Sequence, residues 1–203
     1  SKQLEYKKNT AIKKTQMPEG IIIFDWDDTL LPTSWVYEKG FLSREPTPEE
    51  WSVLKKYEDC VLKLLNVSIQ KADVHIVTNA EKGWVELTGK RFLSRVLDLH
   101  LPVHSAQSMY KHIIPQPGWK ALAFRNLLRG KTPPFVISVG DSPLERHALL
   151  NNVRAMPSSW GKTIKLIAKP TISQLQTQLH IVENALPQLC AEKTHVDLML
   201  KIQ

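Results

Sequence analysis

The sequence predicts a single α/β domain in three layers, a mostly parallel central sheet between two layers of helices. Three observations predict it. Short apolar runs alternate with longer segments of helical period, the pattern of strands joined by crossover helices. The runs are apolar at consecutive positions, as in strands buried on both faces. And 203 residues at 42% hydrophobic content can bury one substantial core, with little left for a second.

The elements follow in order. Residues 1–19 read as a basic, flexible leader in which Lys2, Lys7, Lys8, Lys13 and Lys14 face only Glu5 and Glu19. Such a segment suits nucleic acid or an acidic membrane surface, and without core periodicity it is read as solvated. Ile21, Ile22, Ile23 and Phe24 form the first strand, which ends at a cluster of acids. Thr47-Pro48-Glu49-Glu50 is a capping box with proline at the first helical position, and Trp51, Leu54, Val61, Leu62 and Leu65 continue the helix. Val74, His75, Ile76 and Val77 form a second strand ending in Thr78-Asn79. A helix is expected over 82–97 and a third strand over 101–104. Gly118 to Leu128 reads as a helix closed by Gly130, before a strand from Phe135 to Val139 that ends at Gly140-Asp141. Ser142-Pro143-Leu144-Glu145 is a second capping box, opening a helix toward Leu150. A strand over 164–168 and a helix over 171–192 complete the domain, placed at 20–192, with a tail at 193–203.

Composition excludes some classes. Charged residues at 23% and aromatics at 7% are ordinary for a soluble globular chain. No apolar run approaches the roughly 18–20 residues that span a bilayer, and the leader lacks an apolar signal core, so no membrane insertion is expected. Cys60 and Cys190 both fall in helical patterns and read as reduced, buried thiols, placing the chain in the cytoplasm or nucleus. The net charge of +7 suits an anionic substrate. Ser158-Ser159-Trp160-Gly161-Lys162-Thr163 ends like a phosphate-binding P-loop, but Met156 stands where its first glycine belongs and no helix follows. Among the histidines, His100 and His104 have Pro102 between them and make no helical zinc pair. Ile172, Leu175, Leu179, Val182, Leu186 and Leu189 are spaced by threes and fours, as in a coiled-coil seam. With fewer than three heptads, packing on the sheet is the better reading, and a dimer through this helix is not favoured.

Ligands of open parallel sheets sit beyond the carboxyl ends of the strands. Here three predicted strands end in reactive residues: Asp25-Trp26-Asp27-Asp28-Thr29, Thr78-Asn79, and Gly140-Asp141-Ser142. The arrangement resembles the haloacid dehalogenase (HAD) superfamily. Asp25-x-Asp27-x-Thr29 is similar to its first motif, Thr78 to its second, Lys120 to its third, and Gly140-Asp141 followed by Glu145 to its fourth, over roughly Ile21 to Leu150. The resemblance implies a Rossmann-like, HAD-like fold and an aspartate-nucleophile phosphatase dependent on Mg²⁺.

The residue types fit that chemistry on their own. A carboxylate at Asp25 can attack phosphorus and divide one displacement into two. Asp27 can protonate the departing oxygen and then activate water. Asp25 and Asp141 converge from separate strands as oxygen ligands for Mg²⁺; the resemblance adds the backbone carbonyl of Asp27. Thr78, with Asn79 beside it, and Lys120 are suited to the phosphoryl oxygens. Asp28 reads as a turn or cap residue, and Lys111 is a rival to Lys120. Glu145 is explained as the capping partner of Ser142, with a role behind the metal left open, and Trp26 either lines the mouth or packs on the sheet.

The expected activity is hydrolysis of a phosphomonoester through an aspartyl-phosphate. Alternatives are a non-catalytic phosphate- or protein-binding relative and a phosphotransferase. Neither the interval from Leu30 to Val77 nor that from Asn79 to Trp119 leaves room for a lid of about 50 residues. The open site and basic surface point to a macromolecular substrate, a phosphoprotein or a nucleic-acid end.

Overall fold

In chain order the elements are β1 (Gly20–Phe24), α1 (Thr33–Glu38), α2 (Pro48–Lys71), β2 (Ala72–Thr78), α3 (Trp84–Phe92), α4 (Ser94–Leu97), β3 (Val103–Ser105), α5 (Ala106–Tyr110), α6 (Trp119–Leu128), β4 (Phe135–Gly140), α7 (Pro143–Val153), β5 (Trp160–Lys165), α8 (Ile172–Ala191) and β6 (Val196–Met199). They belong to a computed structural model that describes residues 20–201, so the basic leader at 1–19 lies outside the described residues.

β1 is buried along its whole length, and a strand with no wet face belongs at the centre of a sheet. It pairs with β2 on one side and β4 on the other. The six strands run in the order β3-β2-β1-β4-β5-β6, every pairing parallel. The fold is therefore α/β and Rossmann-like. Its strand order reverses between β1 and β4, where sheets of this kind open a crevice past their carboxyl ends. A dinucleotide-binding sheet has a glycine-rich turn there. This chain has none between Asp25 and Thr33 and carries acids instead.

Strand residues alternate between two cores. Ile22, Phe24, Val74, Ile76, Ile137 and Val139 face Leu54, Val61 and Leu65 of α2 and Leu175, Leu179, Val182 and Leu186 of α8. Ile21, Ile23, Val77 and Val136 face Ala123, Phe124 and Leu127 of α6 and Ala148 and Leu149 of α7. The apolar stripe of α8 is thus covered within the chain. No helix among the described residues is long and apolar enough to cross a membrane. Cys60 and Cys190 are half-buried and unpaired.

Both expected capping boxes form, at Thr47/Glu50 and Ser142/Glu145, with a third at Thr171/Gln174. Other boundaries differ from the sequence reading. The helix expected over 82–97 breaks at Leu93 (φ −135°, ψ 53°) into α3 and α4. The buried carboxylate of Glu58 accepts from the Arg95 backbone N–H at 3.0 Å and so caps α4 from a distant helix. β3 begins at Val103, later than its apolar run. The strand expected over 164–168 is β5, four residues earlier, because Gly161 and Lys162 interrupt its apolar pattern. A Cβ at Gly161 would lie 2.7 Å from a Val153 methyl, so glycine permits α7 to pack closely there. The segment read as a tail contains β6, a mostly exposed edge strand of four residues. Thr163 and Arg146 hold it through Asp197, at 2.6 and 2.8 Å. The short helices α1 and α5 were not expected.

The apparent P-loop lysine has a structural task. Lys162 is fully buried on β5, and its ammonium donates to the carbonyls of Leu189 and Glu192 at the end of α8. Replacing it by methionine keeps the stem and strands two carbonyls of the last helical turn. Lys162→Met is expected to lower stability by about 1–3 kcal/mol, read as a shifted denaturant midpoint with an unchanged slope. A midpoint equal to that of the wild type would rule out this capping role.

Candidate active site

The loop after β1 is wound tightly. Asp25 continues the sheet by donating its N–H to Val139 (2.9 Å), and the Trp26 carbonyl then accepts from the N–H groups of Thr29, Leu30 and Leu31. Trp26 itself is fully buried, its indole N–H on Thr88 at 2.9 Å, so it packs over the sheet and does not line the mouth. Asp28 adopts a left-handed backbone (φ 52°), which aspartate tolerates better than most residues. Its carboxylate accepts from the N–H and hydroxyl of Ser34 at 2.7 and 2.5 Å. It thereby caps α1, whose N-cap position, Pro32, has no capping side chain. Asp27 is half-exposed; its Oδ1 accepts from the Thr33 hydroxyl at 2.7 Å and the Trp84 indole at 2.9 Å.

Behind this loop lies a cluster of buried charges. Lys120, on the first turn of α6, is 2% exposed. Its ammonium sits 2.8 Å from Asp25 Oδ1 and also bonds Glu145. Burial opposes the ammonium, but the Asp25 and Glu145 carboxylates outweigh it and hold Lys120 above its usual range. Oxygens of Asp25, Asp141 and Glu145 all lie within 4.8 Å of one another. Burial pushes Asp25 well above the carboxylate range, with Lys120 opposing and Glu145 and Asp141 reinforcing. Burial likewise pushes Asp141 up to about 6; a hydrogen bond to Asp25 opposes this and the charges of Glu145 and Asp28 add to it.

Glu145 does more than close a capping box. One oxygen accepts from the Ser142 N–H and hydroxyl at 3.1 and 2.8 Å, and the other takes Lys120. Its stem passes under Gly140, where a Cβ would lie 2.6 Å from Glu145 Cγ, so only glycine leaves room for it.

One cleft of about 360 Å³ is lined by Asp25, Asp27, Thr78, Asn79, Lys120, Asp141 and Glu145, together with Asp28 and Ser142. The candidate catalytic, phosphate-binding and metal-binding residues Asp25, Asp27, Thr78, Asn79, Lys120 and Asp141 therefore border the same space. Thr78 is buried and accepts from the Ala80 N–H at 3.0 Å, leaving its own proton to donate. The buried side-chain oxygen of Asn79 has no partner among the described residues. Lys111 lies outside this group, 3.7 Å from Glu81, which leaves Lys120 without a rival. The Asp27 side chain is not in the cluster of three acids, because Thr33 and Trp84 hold it aside.

Sequence reasoning missed Thr33, Trp84 and Lys165. The Lys165 ammonium, at the end of β5, donates to the Asp141 carbonyl at 3.2 Å and steadies that turn. A lysine closing a strand beside the β4 crevice was a usable signal, but the displaced strand boundary hid it. Trp84 follows Gly83 (φ 97°) at the start of α3, and nothing in a linear pattern links it to Asp27.

No family model matches the chain, and no curated protein matches it. Among solved structures it is similar to a conserved haloacid dehalogenase-like protein of unknown function from Agrobacterium tumefaciens. The two share 16% identity, the match covers 84% of this chain and 97% of that one, and the TM-score is 0.45. A likeness of that degree transfers neither an activity nor residue roles.

The crowded acids make stability depend on pH. Asp141 has a folded pKa near 6, above the unfolded value of about 3.9. The protonated carboxyl therefore favours the fold below the unfolded pKa, and this contribution is lost as pH rises through about 6. In EDTA, Asp141→Asn is expected to gain stability relative to wild type between pH 4 and 7.5, on the order of 1–2 kcal/mol after allowance for solvent access. Parallel stability–pH curves for the two proteins would contradict the crowding of these carboxylates.

Proposed function

We propose that the chain is a Mg²⁺-dependent phosphohydrolase that cleaves a phosphomonoester through an aspartyl-phosphate on Asp25. The observation that carries this reading is one cleft at the β1/β4 crevice holding Asp25, Lys120, Asp141 and the half-exposed Asp27.

The residues suit the metal. Three carboxylates, two of them buried and Asp141 partly so, crowd within 4.8 Å, and burial raises the pKa of Asp25 and Asp141. An all-oxygen donor set of this kind fits a hard divalent cation. Both oxygens of Glu145 are engaged by Lys120 and Ser142, so Asp25 and Asp141 are the ligands, with the Asp27 carbonyl as the third that the resemblance implies. When bound, Mg²⁺ would supply the positive charge that lets an anionic nucleophile approach a phosphate.

The chain's own groups account for the remaining chemistry. A carboxylate oxygen of Asp25 attacks phosphorus as the bond to the leaving oxygen breaks, and Asp27 gives that oxygen its proton. The Lys120 ammonium and the Thr78 hydroxyl, with Asn79 beside them, are suited to hold the equatorial oxygens. Water then attacks the same phosphorus and gives its proton to Asp27; the Asp25–phosphorus bond breaks, and inorganic phosphate leaves. Thr33 and Trp84 occupy Oδ1 of Asp27, so Oδ2 carries the proton.

The connections on either side of β2 hold only α1 and α2 before it, and α3 and α4 after it. No described segment forms a separate lid. An open cleft supports a bulky substrate such as a phosphoprotein or nucleic-acid end.

Asp25→Asn is expected to fold as the wild type does and to lose roughly 10⁴ or more in kcat, as for deletion of a nucleophile. EDTA should silence the wild type and added Mg²⁺ restore it. Near-normal turnover by the variant in steady-state assays would sink the assignment.

For Asp27→Asn the first-step rate should fall most with alkyl phosphates and least with aryl phosphates, whose leaving groups need little protonation. Burst-phase rates for the two substrate types separate the cases; equal losses would argue against a general acid at this position.

A further inference from the structure

Beside the phosphoryl cleft lies a second concavity of about 380 Å³, lined by Asp27, Thr33, Tyr37, Ala80, Glu81 and Trp84. It shares Asp27 and Ala80 with the cleft that contains Asp25 and Lys120. The acid that would protonate a leaving oxygen thus borders both spaces. With phosphorus held over Asp25, a group departing past Asp27 enters this second space.

The lining is specific in its chemistry. Its charged lining residues are the acids Asp27 and Glu81, the latter 3.7 Å from the Lys111 ammonium, so the lining offers no cation of its own to a leaving group bearing further phosphates. The apolar surface comes from two aromatic rings. Trp26 shows what an aromatic side chain does in this fold when it only packs: it is fully buried. Trp84 is half-exposed and Tyr37 is 58% exposed, both at the mouth.

The Trp84 ring is also fixed in place. Its indole N–H bonds Asp27 at 2.9 Å, while its carbonyl accepts from the Thr88 hydroxyl at 2.7 Å. That same hydroxyl accepts the Trp26 indole at 2.9 Å. Two tryptophans therefore tie α3 and the loop after β1 to each other in opposite directions. A ring held this way is a pre-organised platform, and aromatic faces favour offset stacking with other rings.

We propose that Tyr37 and Trp84 form a leaving-group subsite selecting phosphomonoesters whose leaving group carries an uncharged planar aromatic ring. The proposal rests on the hydrolase reading of Asp25 and Asp27 and narrows its substrate class. Trp84 is in addition a positioning residue for Asp27.

Benzylphosphonate and cyclohexylmethylphosphonate test it, since they share charge and reach and differ in planarity. Measured by calorimetry in Mg²⁺ buffer, the benzyl compound should bind wild type roughly three- to tenfold more tightly, the range expected for one stacked ring pair. Trp84→Leu should abolish that preference, Trp84→Phe should keep most of it, and Tyr37→Leu should reduce it. Equal affinities in wild type, binding of neither compound, or a preference that survives in both leucine variants would overturn the subsite. Turnover of benzyl phosphate and cyclohexylmethyl phosphate, alkyl esters of similar reactivity, separates this idea from the hydrolase reading. Equal kcat/KM for the two esters would overturn the subsite and leave the hydrolase; a binding preference without turnover would support the subsite and sink the hydrolase.

Discussion

A single buried ammonium holds the centre of this molecule together. Lys120 lies between Asp25 at the end of β1 and Glu145 on the first turn of α7, and without its charge these acids could not stay so close in a dry interior. The ion cluster joins the first turn of α6, the end of β1 and the start of α7. It also sets requirements along the chain. Gly140 must lack a side chain because the Glu145 stem passes where its Cβ would be, and Ser142 must cap α7 to hold the other Glu145 oxygen. Lys165 then anchors the Asp141 carbonyl from β5.

Such an arrangement is not built for stability. Crowding three carboxylates, two of them buried, around one ammonium disfavours their charged forms, and burial raises the pKa values of Asp25 and Asp141. The apolar cores on both faces of the sheet offset that cost. Charge imbalance held by a rigid frame suits the proposed binding of a cation and a phosphate together. On the open side, the frame is completed by the paired tryptophans that fasten α3 to the loop after β1.

The parts of the site legible in the sequence were those placed by strand ends. Asp25, Thr78 and Asp141 follow apolar runs directly, and a parallel sheet aligns all its carboxyl ends on one edge, so one-dimensional position gave three-dimensional proximity. Lys120 was legible through its resemblance to the third motif of the superfamily, ahead of the strand that ends at Asp141; the structure adds that it lies on the first turn of α6. Thr33 and Trp84 were not, since they reach Asp27 through side chains from loops and helix starts whose paths depend on tertiary packing. The same limit affected the fold. The central strands read clearly from full burial, whereas β5 was displaced by Gly161 and Lys162, and β6, four residues long and mostly exposed, was too short to stand out.

The proposed reaction requires Asp25 to accept the phosphoryl group. Quenching turnover with borohydride reduces an aspartyl-phosphate to homoserine, which peptide mass spectrometry locates. Homoserine at position 25, dependent on Mg²⁺ and absent from Asp25→Asn, is the predicted result. Phosphate release that continues while position 25 stays unmodified aspartate would contradict it.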